Sequence, residues 1–333
     1  MHGNDVDSVA ALESCIGASS PMIDLKVIDH LDRECLRWLA ASPLMFASLG
    51  RDGNVTATLA GGAAGFASGH HANLHLPLAA IDDPALIQVG DAFGSLFLIP
   101  GIGETLRINS RVAAIEAGTA RVAVEEAYIH CAKALIRSDF WKATPADAPT
   151  DATDFVAASR FMALATLGAA GGADLSPKGD PAGAMARLDG ATLRYADRPG
   201  NRRADSFRNI LTQPRIAGAL LVPGATRVAI LHGVARLSAD ADERARFVVK
   251  EKTPVLVTTV DDVAIELRDS PALARASLWP AAPAPDIDPA KILVAHMKLN
   301  RDKGLQAKLA GAVLSVPGLM KKGLEKDYAT NLY

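Results

Sequence analysis

Cysteine, aromatic residues and net charge are all scarce in this chain. Its three cysteines among 333 residues, Cys15, Cys35 and Cys131, are an odd number at unrelated spacings. That argues against a disulfide framework and a zinc-finger pattern alike, so the thiols read as reduced and no metal site is expected. His70, His71 and His75 lie beside glycines, but no carboxylate or cysteine near them completes a ligand set. No apolar run reaches the roughly 18 residues of a membrane helix, so no membrane partner is expected. The start Met1-His2-Gly3-Asn4-Asp5 lacks the basic and apolar regions of a signal peptide, which makes the cytoplasm the expected location. With 35 basic and 37 acidic side chains, no global field favours nucleic acid.

Apolar residues are plentiful, at 49%, enough for two filled cores in a chain of this length. Positive charge is concentrated in one place. Arg198-Pro199-Gly200-Asn201-Arg202-Arg203-Ala204-Asp205-Ser206-Phe207-Arg208-Asn209 sets four arginines, two asparagines and a serine around a Pro-Gly turn. Guanidinium forks, amide groups and a hydroxyl on a tight turn are the donors that a phosphate monoester needs. A local cluster in a near-neutral chain suits a small anion better than a polyanion.

The two halves show ordered self-similarity. Phe46 to Gly50 matches Leu164 to Gly168 at an offset of 118, Leu98 to Gly101 matches Leu221 to Gly224 at 123, and Ala134 to Trp141 matches Ala272 to Trp279 at 138. A growing offset is what two diverged copies with loop insertions would give, so tandem domains are expected. Strand patterns fall at 44–49, 54–59, 95–99 and 105–112, then at 161–167, 192–196, 216–222 and 227–237. Short helices are predicted at 83–89 and 205–211. A Pro/Ala/Asp/Thr linker over 142–153 and a proline-rich break at 280–285 divide the chain into four parts. These are an N-terminal arm (1–30), a first domain (31–143), a second domain (154–280) and an extension (281–333) with helical patterning from about Pro289 to Lys322. The pattern predicts a mainly β chain with short helices, and by itself does not separate barrel from sandwich.

Two further strings accompany the arginine segment: Asp174-Leu175-Ser176-Pro177-Lys178-Gly179-Asp180, and Tyr128-Ile129-His130-Cys131-Ala132-Lys133-Ala134-Leu135-Ile136-Arg137-Ser138-Asp139-Phe140-Trp141. Jointly the three resemble the pyridoxamine-5'-phosphate-oxidase-like, FMN-binding split barrels. The resemblance implies two tandem split barrels packed as a pseudo-dimer, with FMN in the groove between them, in a monomeric pseudo-dimer or a homodimer. It implies that Arg202, Arg203, Ser206 and Asn209 hold the phosphate, that Arg198 and Asn201 shape the turn, and that Ser176 and Lys178 reach the polar edge of the ring. Arg107, Lys133, Arg137, Ser138 and Trp141 would face the cofactor or substrate from the first copy, with His130 and Lys133 as candidate catalytic groups. The implied activity is that of an FMN-dependent oxidoreductase acting on a small molecule, with NAD(P)H a candidate reductant. A flavin carrier without catalysis, and a split barrel using deazaflavin or haem, are the alternatives.

The phosphate-side strings occur only in the second copy, where Ser176 to Asp180 faces Thr58 to Gly62 of the first, and the acidic Leu78 to Pro84 stands where the arginine loop would be. The other string occurs only in the first copy, since Arg107 has become Ile230 and Lys133 has become Pro271. One composite site is therefore expected, and one degenerate.

Overall fold

The computed structural model describes residues 5–18, 21–200, 203–300 and 318–333. A short β1 (Asp5–Val6), a helix α1 (Val9–Ile16), a 3-10 segment (Pro21–Lys26) and a helix α2 (Arg33–Ala41) precede the first sheet. That sheet contains β2 (Leu44–Arg51), β3 (Asn54–Gly61), β4 (Ser68–His70), β5 (Asn73–Pro77), β6 (Ala92–Leu98), β7 (Thr105–Glu116) and β8 (Thr119–His130). After α3 (Lys133–Arg137) and α4 (Ala152–Ala158) comes the second, with β9 (Phe161–Leu167), β10 (Ala173–Gly179), β11 (Arg187–Asp189), β12 (Thr192–Ala196) and α5 (Asp205–Thr212). It continues through β13 (Arg215–Leu221), β14 (Arg227–Ser238), α6 (Ala241–Ala245), β15 (Val257–Asp269) and α7 (Pro271–Ala276). Two helices of the extension follow, α8 (Pro289–Leu299) and α9 (Leu319–Thr330). The rest of the predicted helical stretch, 301–317, lies outside the described residues.

Both sheets are antiparallel and share one strand order: β3-β2-β6-β7-β8-β5-β4 in the first, β10-β9-β13-β14-β15-β12-β11 in the second. The second is extended by β1 on β14. The mainly β class with short helices is as the sequence predicts, and hydrogen bonding closes neither sheet into a barrel among the described residues. The segment 83–89, predicted helical, forms only a 3-10 turn at Pro84–Leu86, because Asp83 is committed to side-chain bonds elsewhere.

β2 and β9 read as unbroken apolar runs because both of their faces are buried. On β2, Met45, Ala47 and Leu49 enter the first sheet's own core with Trp38, Phe93 and Phe97, while Leu44 and Phe46 face the other way. On β9, Met162 and Leu164 face the second core, and Phe161, Ala163 and Ala165 join Leu44 and Phe46 in a third core between the sheets. The Phe46 and Phe161 rings lie 5.5 Å apart, and Phe140 meets Phe161 edge-on at 5.1 Å. Each such side chain contributes roughly 1.5–3 kcal/mol through burial.

Reciprocal contacts complete the interface. The α3 helix, which follows β8, packs on β10, and its Arg137 Nε donates to the Gly179 carbonyl at 2.8 Å. The α7 helix, which follows β15, packs on β3, and its Arg275 Nε donates to the Gly61 carbonyl at 3.0 Å. A Cβ at Gly179 would collide with the Ala134 carbonyl oxygen, and one at Gly61 would collide with that of Ala272. Glycine is required at both because backbone meets backbone.

Candidate functional site

β10 is an edge strand paired only with β9, so Pro177 sits within it without costing a ladder bond. Ser176 and Lys178, two residues apart, share one face of it, and Leu175 on the other enters the core between the sheets. Beyond β12 the chain turns through the arginine segment. Arg198 is the clamp of this turn: its Nε donates to Asp180 at 2.6 Å and its NH2 group to the Phe247 carbonyl at 2.8 Å. Ala204, with φ at 57°, starts α5 without a side-chain cap, so the first turn of that helix presents uncapped backbone amides beside Ser206. From the first half, α3 brings Lys133 and Arg137 to the same place, and Arg137 NH1 donates to the Pro199 carbonyl at 3.1 Å.

These elements enclose a cavity of about 780 Å³, within the range of roughly 300–1,000 Å³ usual for ligand sites. Seven lysine or arginine side chains line it against four aspartates. Lys178 lies 4.7 Å from the centre of the Phe207 ring, with its Nζ 3.4 Å from Ser206 Oγ. Burial lowers the Lys178 pKa, with Asp197 opposing the shift and Arg137 adding to it. Burial raises Asp197 despite Lys178 and Arg137 beside it, and raises Asp180 despite Arg198. His130 is held well below the usual histidine range, first by burial and then by Lys26 and Arg107, so its imidazole is neutral at neutral pH. An imidazolium proton donor, the form of acid expected for His130, is disfavoured there for the same reason. The recess is positive, which suits an anion.

Of the residues singled out in the sequence, Arg107, His130, Lys133, Arg137, Ser176, Lys178, Arg198, Arg203 and Ser206 line this cavity. Asn201 and Arg202 lie outside the described residues. Three others do not reach it. Asn209 donates to Thr166 Oγ1 at 2.9 Å and lines a neighbouring cavity of about 510 Å³. Ser138 is fully buried and donates to the Leu135 carbonyl, and the Trp141 indole donates to the Ile102 carbonyl at 2.6 Å. Those two side chains fasten the turn after α3 and leave no group free for a ligand. Arg107 faces the cavity but is 1% exposed and paired with Asp174 of β10, with Asp205 3.9 Å away, so it ties one sheet to the other. Arg203 is ringed by Asp205, Glu126 and Asp24 and lies 4.5 Å from the centre of the Tyr128 ring.

The corresponding place on the other side of the interface is filled by the protein itself. Asp83 takes a two-pronged bond from Arg268, which stands 138 residues after His130, and accepts from Thr58, which stands 118 before Ser176. Asp82 accepts from the Ser270 hydroxyl and from the Ala272 amide at 2.7 Å. Two carboxylates thus sit where an anionic ligand would meet the equivalent elements.

Several contributors escaped the sequence reading because they come from the ends of the chain. Lys26 donates to the Ile129 carbonyl at 2.8 Å and lies over the Tyr128 ring. Cys15 and Ile16 of α1 line the cavity, as do Asp327, Asn331 and Tyr333 from α9 and the residues after it. Asp327 pairs with Lys133 at 2.9 Å, the Leu332 carbonyl accepts from Arg137 at 2.9 Å, and Tyr333 lies beneath Arg198 and Lys250. The acidic Asp197 gave no signal among its basic neighbours.

Residues 148–272 match the family model described as pyridoxamine 5'-phosphate oxidase. No curated protein matches the chain. Among solved structures, a single-site variant of HupZ from Group A Streptococcus is 16% identical, covering 36% of this chain and 98% of its own, with a TM-score of 0.29. An F420 reductase is 16% identical over 35% of this chain and 98% of its own, with a TM-score of 0.27. The motility inhibitor MotI/DgrA of Bacillus subtilis is 8% identical over 79% of this chain and 99% of its own, with a TM-score of 0.20. The matched residues 148–272, which supply β9 to β15 and the arginine turn, are similar to the pyridoxamine 5'-phosphate oxidase family.

Proposed function

We propose that this chain is an FMN-dependent oxidoreductase that holds one flavin between its two sheets, which act as the halves of a tandem pseudo-dimer. The observation that carries this reading is the convergence, in one positive cavity of about 780 Å³, of β10, the arginine turn and α3, two of them from one half and one from the other. The donor set fits the cofactor. Arg203, Ser206 and the uncapped start of α5, with the adjacent Arg202, would hold the phosphate, each charge-assisted contact contributing about 1.5–3 kcal/mol. Ser176 and Lys178 would meet the polar edge of the ring, where a cation favours the reduced, anionic state. Lys133 and Arg137 close the cavity from the first half. FMN, when bound, supplies two-electron chemistry toward a small-molecule substrate, with NAD(P)H a candidate reductant. His130, neutral beside the cations, would gain affinity for a proton when an anion enters. With Asp82 and Asp83 filling the corresponding place, the expected stoichiometry is one flavin per chain.

The absorbance spectrum of the purified protein, followed by denaturation and titration of the released chromophore, tests this. A flavin spectrum at one equivalent per chain is expected. A haem or deazaflavin spectrum would reject FMN, and two equivalents would reject the composite site. Bleaching by NAD(P)H with reoxidation in air separates an enzyme from a carrier.

A further inference from the structure

Outside the cavity lining, α2 and α8 bring three potential ligands to one buried point. Cys35, on the first turn of α2, and His296, on the third turn of α8, are both fully buried, and Asp32 is the N-cap of α2. His296 Nε2 lies 3.6 Å from Cys35 Sγ and 3.5 Å from Asp32 Oδ1. All three ligand atoms lie within 4.8 Å of one another. A single ring nitrogen has one lone pair or one N–H, and cannot serve a thiol and a carboxylate together. Nor does its ring partner compensate, since Nδ1 has no hydrogen bond. A cation at the centre satisfies all three groups at once. Bonds of about 2.3 Å to sulfur and about 2.05 Å to nitrogen, at the tetrahedral angle, put those ligand atoms about 3.6 Å apart, the spacing seen between Cys35 and His296.

We propose that Asp32, Cys35 and His296 form a site for a divalent, thiolate-accepting metal ion of the zinc class. Cys35 releases its thiol proton to solvent on coordination, so one thiolate, one carboxylate and a neutral imidazole balance the two positive charges, and no net charge is buried. Asp32 keeps 10% of its side chain exposed, which gives the ion a way in and a water the fourth position. The ligands span 265 positions of the chain, from 32 to 296, which is why cysteine spacing hides the site. Its structural effect is to staple the extension to the first domain: α8 packs on β8 and α9 packs on α8, and α9 carries the Asp327 that reaches Lys133.

The test uses the full-length chain, freed of metal with a chelator and titrated with Co(II) alone. One equivalent is expected, with a sulfur-to-cobalt charge-transfer band in the near ultraviolet. Zinc at one equivalent per chain should be found by elemental analysis after growth in zinc-containing medium. The band should vanish in Cys35→Ala, and His296→Ala should lose tight binding. Asp32→Asn keeps a side-chain acceptor for the helix cap, so weakened binding there, with an unchanged circular dichroism spectrum, reports ligation and not folding. Wild-type protein that takes up neither ion would overturn the proposal without reference to any variant. A cobalt band that persists in Cys35→Ala would overturn it equally.

Discussion

Lys26 places an ammonium group where protein, not water, surrounds it. Its partners are a carbonyl and a ring face, and Arg203 and Arg107 are near enough to disfavour its charge. Burial is the main cause of a pKa lowered from 10.5 to about 8. The unfolded lysine takes up its proton near the ordinary value, so between about pH 10.5 and 8 the unfolded state binds a proton that the folded state refuses. Stability is therefore reduced by the full amount below pH 8 and recovers as pH rises toward 10.5. A shift of this size corresponds to about 3 kcal/mol. Denaturant unfolding of the wild type and Lys26→Met at pH 7 and pH 10 checks it. The wild type should gain about 2–3 kcal/mol relative to the variant across that interval, and a constant difference would mean that Lys26 titrates normally. An anion bound in the nearby cavity should diminish the effect by raising the folded pKa.

At the scale of elements, the chain's apolar runs announced β2, β6, β9 and β13, because strands covered on both faces carry no polar alternation to blur them. β8 and β15 were harder to read. Each is long, and its outer portion alternates with exposed residues such as Glu125 and Asp262 that resemble turn signals. The glycines Gly61 and Gly179 show how the repeated elements differ in function. Both allow a helix backbone to rest on a strand backbone, at Ala272 and Ala134 respectively. Only the second pair borders the cavity, which both Ala134 and Gly179 line. Gly61→Ala and Gly179→Ala should each destabilise the fold by about 1–3 kcal/mol, the usual cost of forcing atoms into a close-packed contact. Gly172→Ala, where an added Cβ meets nothing within 4 Å, is the matched neutral change. Thermal unfolding measures the first effect, and flavin retained through gel filtration measures the second. Only Gly179→Ala should lose cofactor. Equal loss in Gly61→Ala would mean that the Asp82 and Asp83 side of the interface also takes part in binding.

For the whole molecule, residues that line the cavity were more legible in the sequence than those packed around them. The arginine segment and the β10 string were legible because each gathers its polar and charged groups within a dozen consecutive residues. The reciprocal loss of Lys133 to Pro271 and of Lys178 to Ala60 pointed to one composite site. What stayed hidden depends on long-range packing: Lys26 arriving from the arm, Tyr333 from the opposite end, and Asp82 and Asp83 turning inward onto Arg268. The remaining issue of assembly is which chain completes each site. In the structure α3 rests on β10 of the same chain, and Arg137 bonds Gly179, Pro199 and Leu332 within it. The linker over 142–153 could span roughly 40 Å if extended, so a swapped arrangement between two chains is geometrically open. A mixture of one variant carrying Lys133→Ala and Arg137→Ala with another carrying Arg202→Ala and Arg203→Ala distinguishes the two. Each variant alone should fail to retain flavin, since each lacks one wall of the cavity. Mixed under mild denaturant that permits exchange, they should remain without flavin, because every intrachain site still lacks one wall. Recovery approaching about a quarter of the wild-type content, from one intact site in each mixed dimer with mixed dimers half of the total, would show that the sites are built between chains.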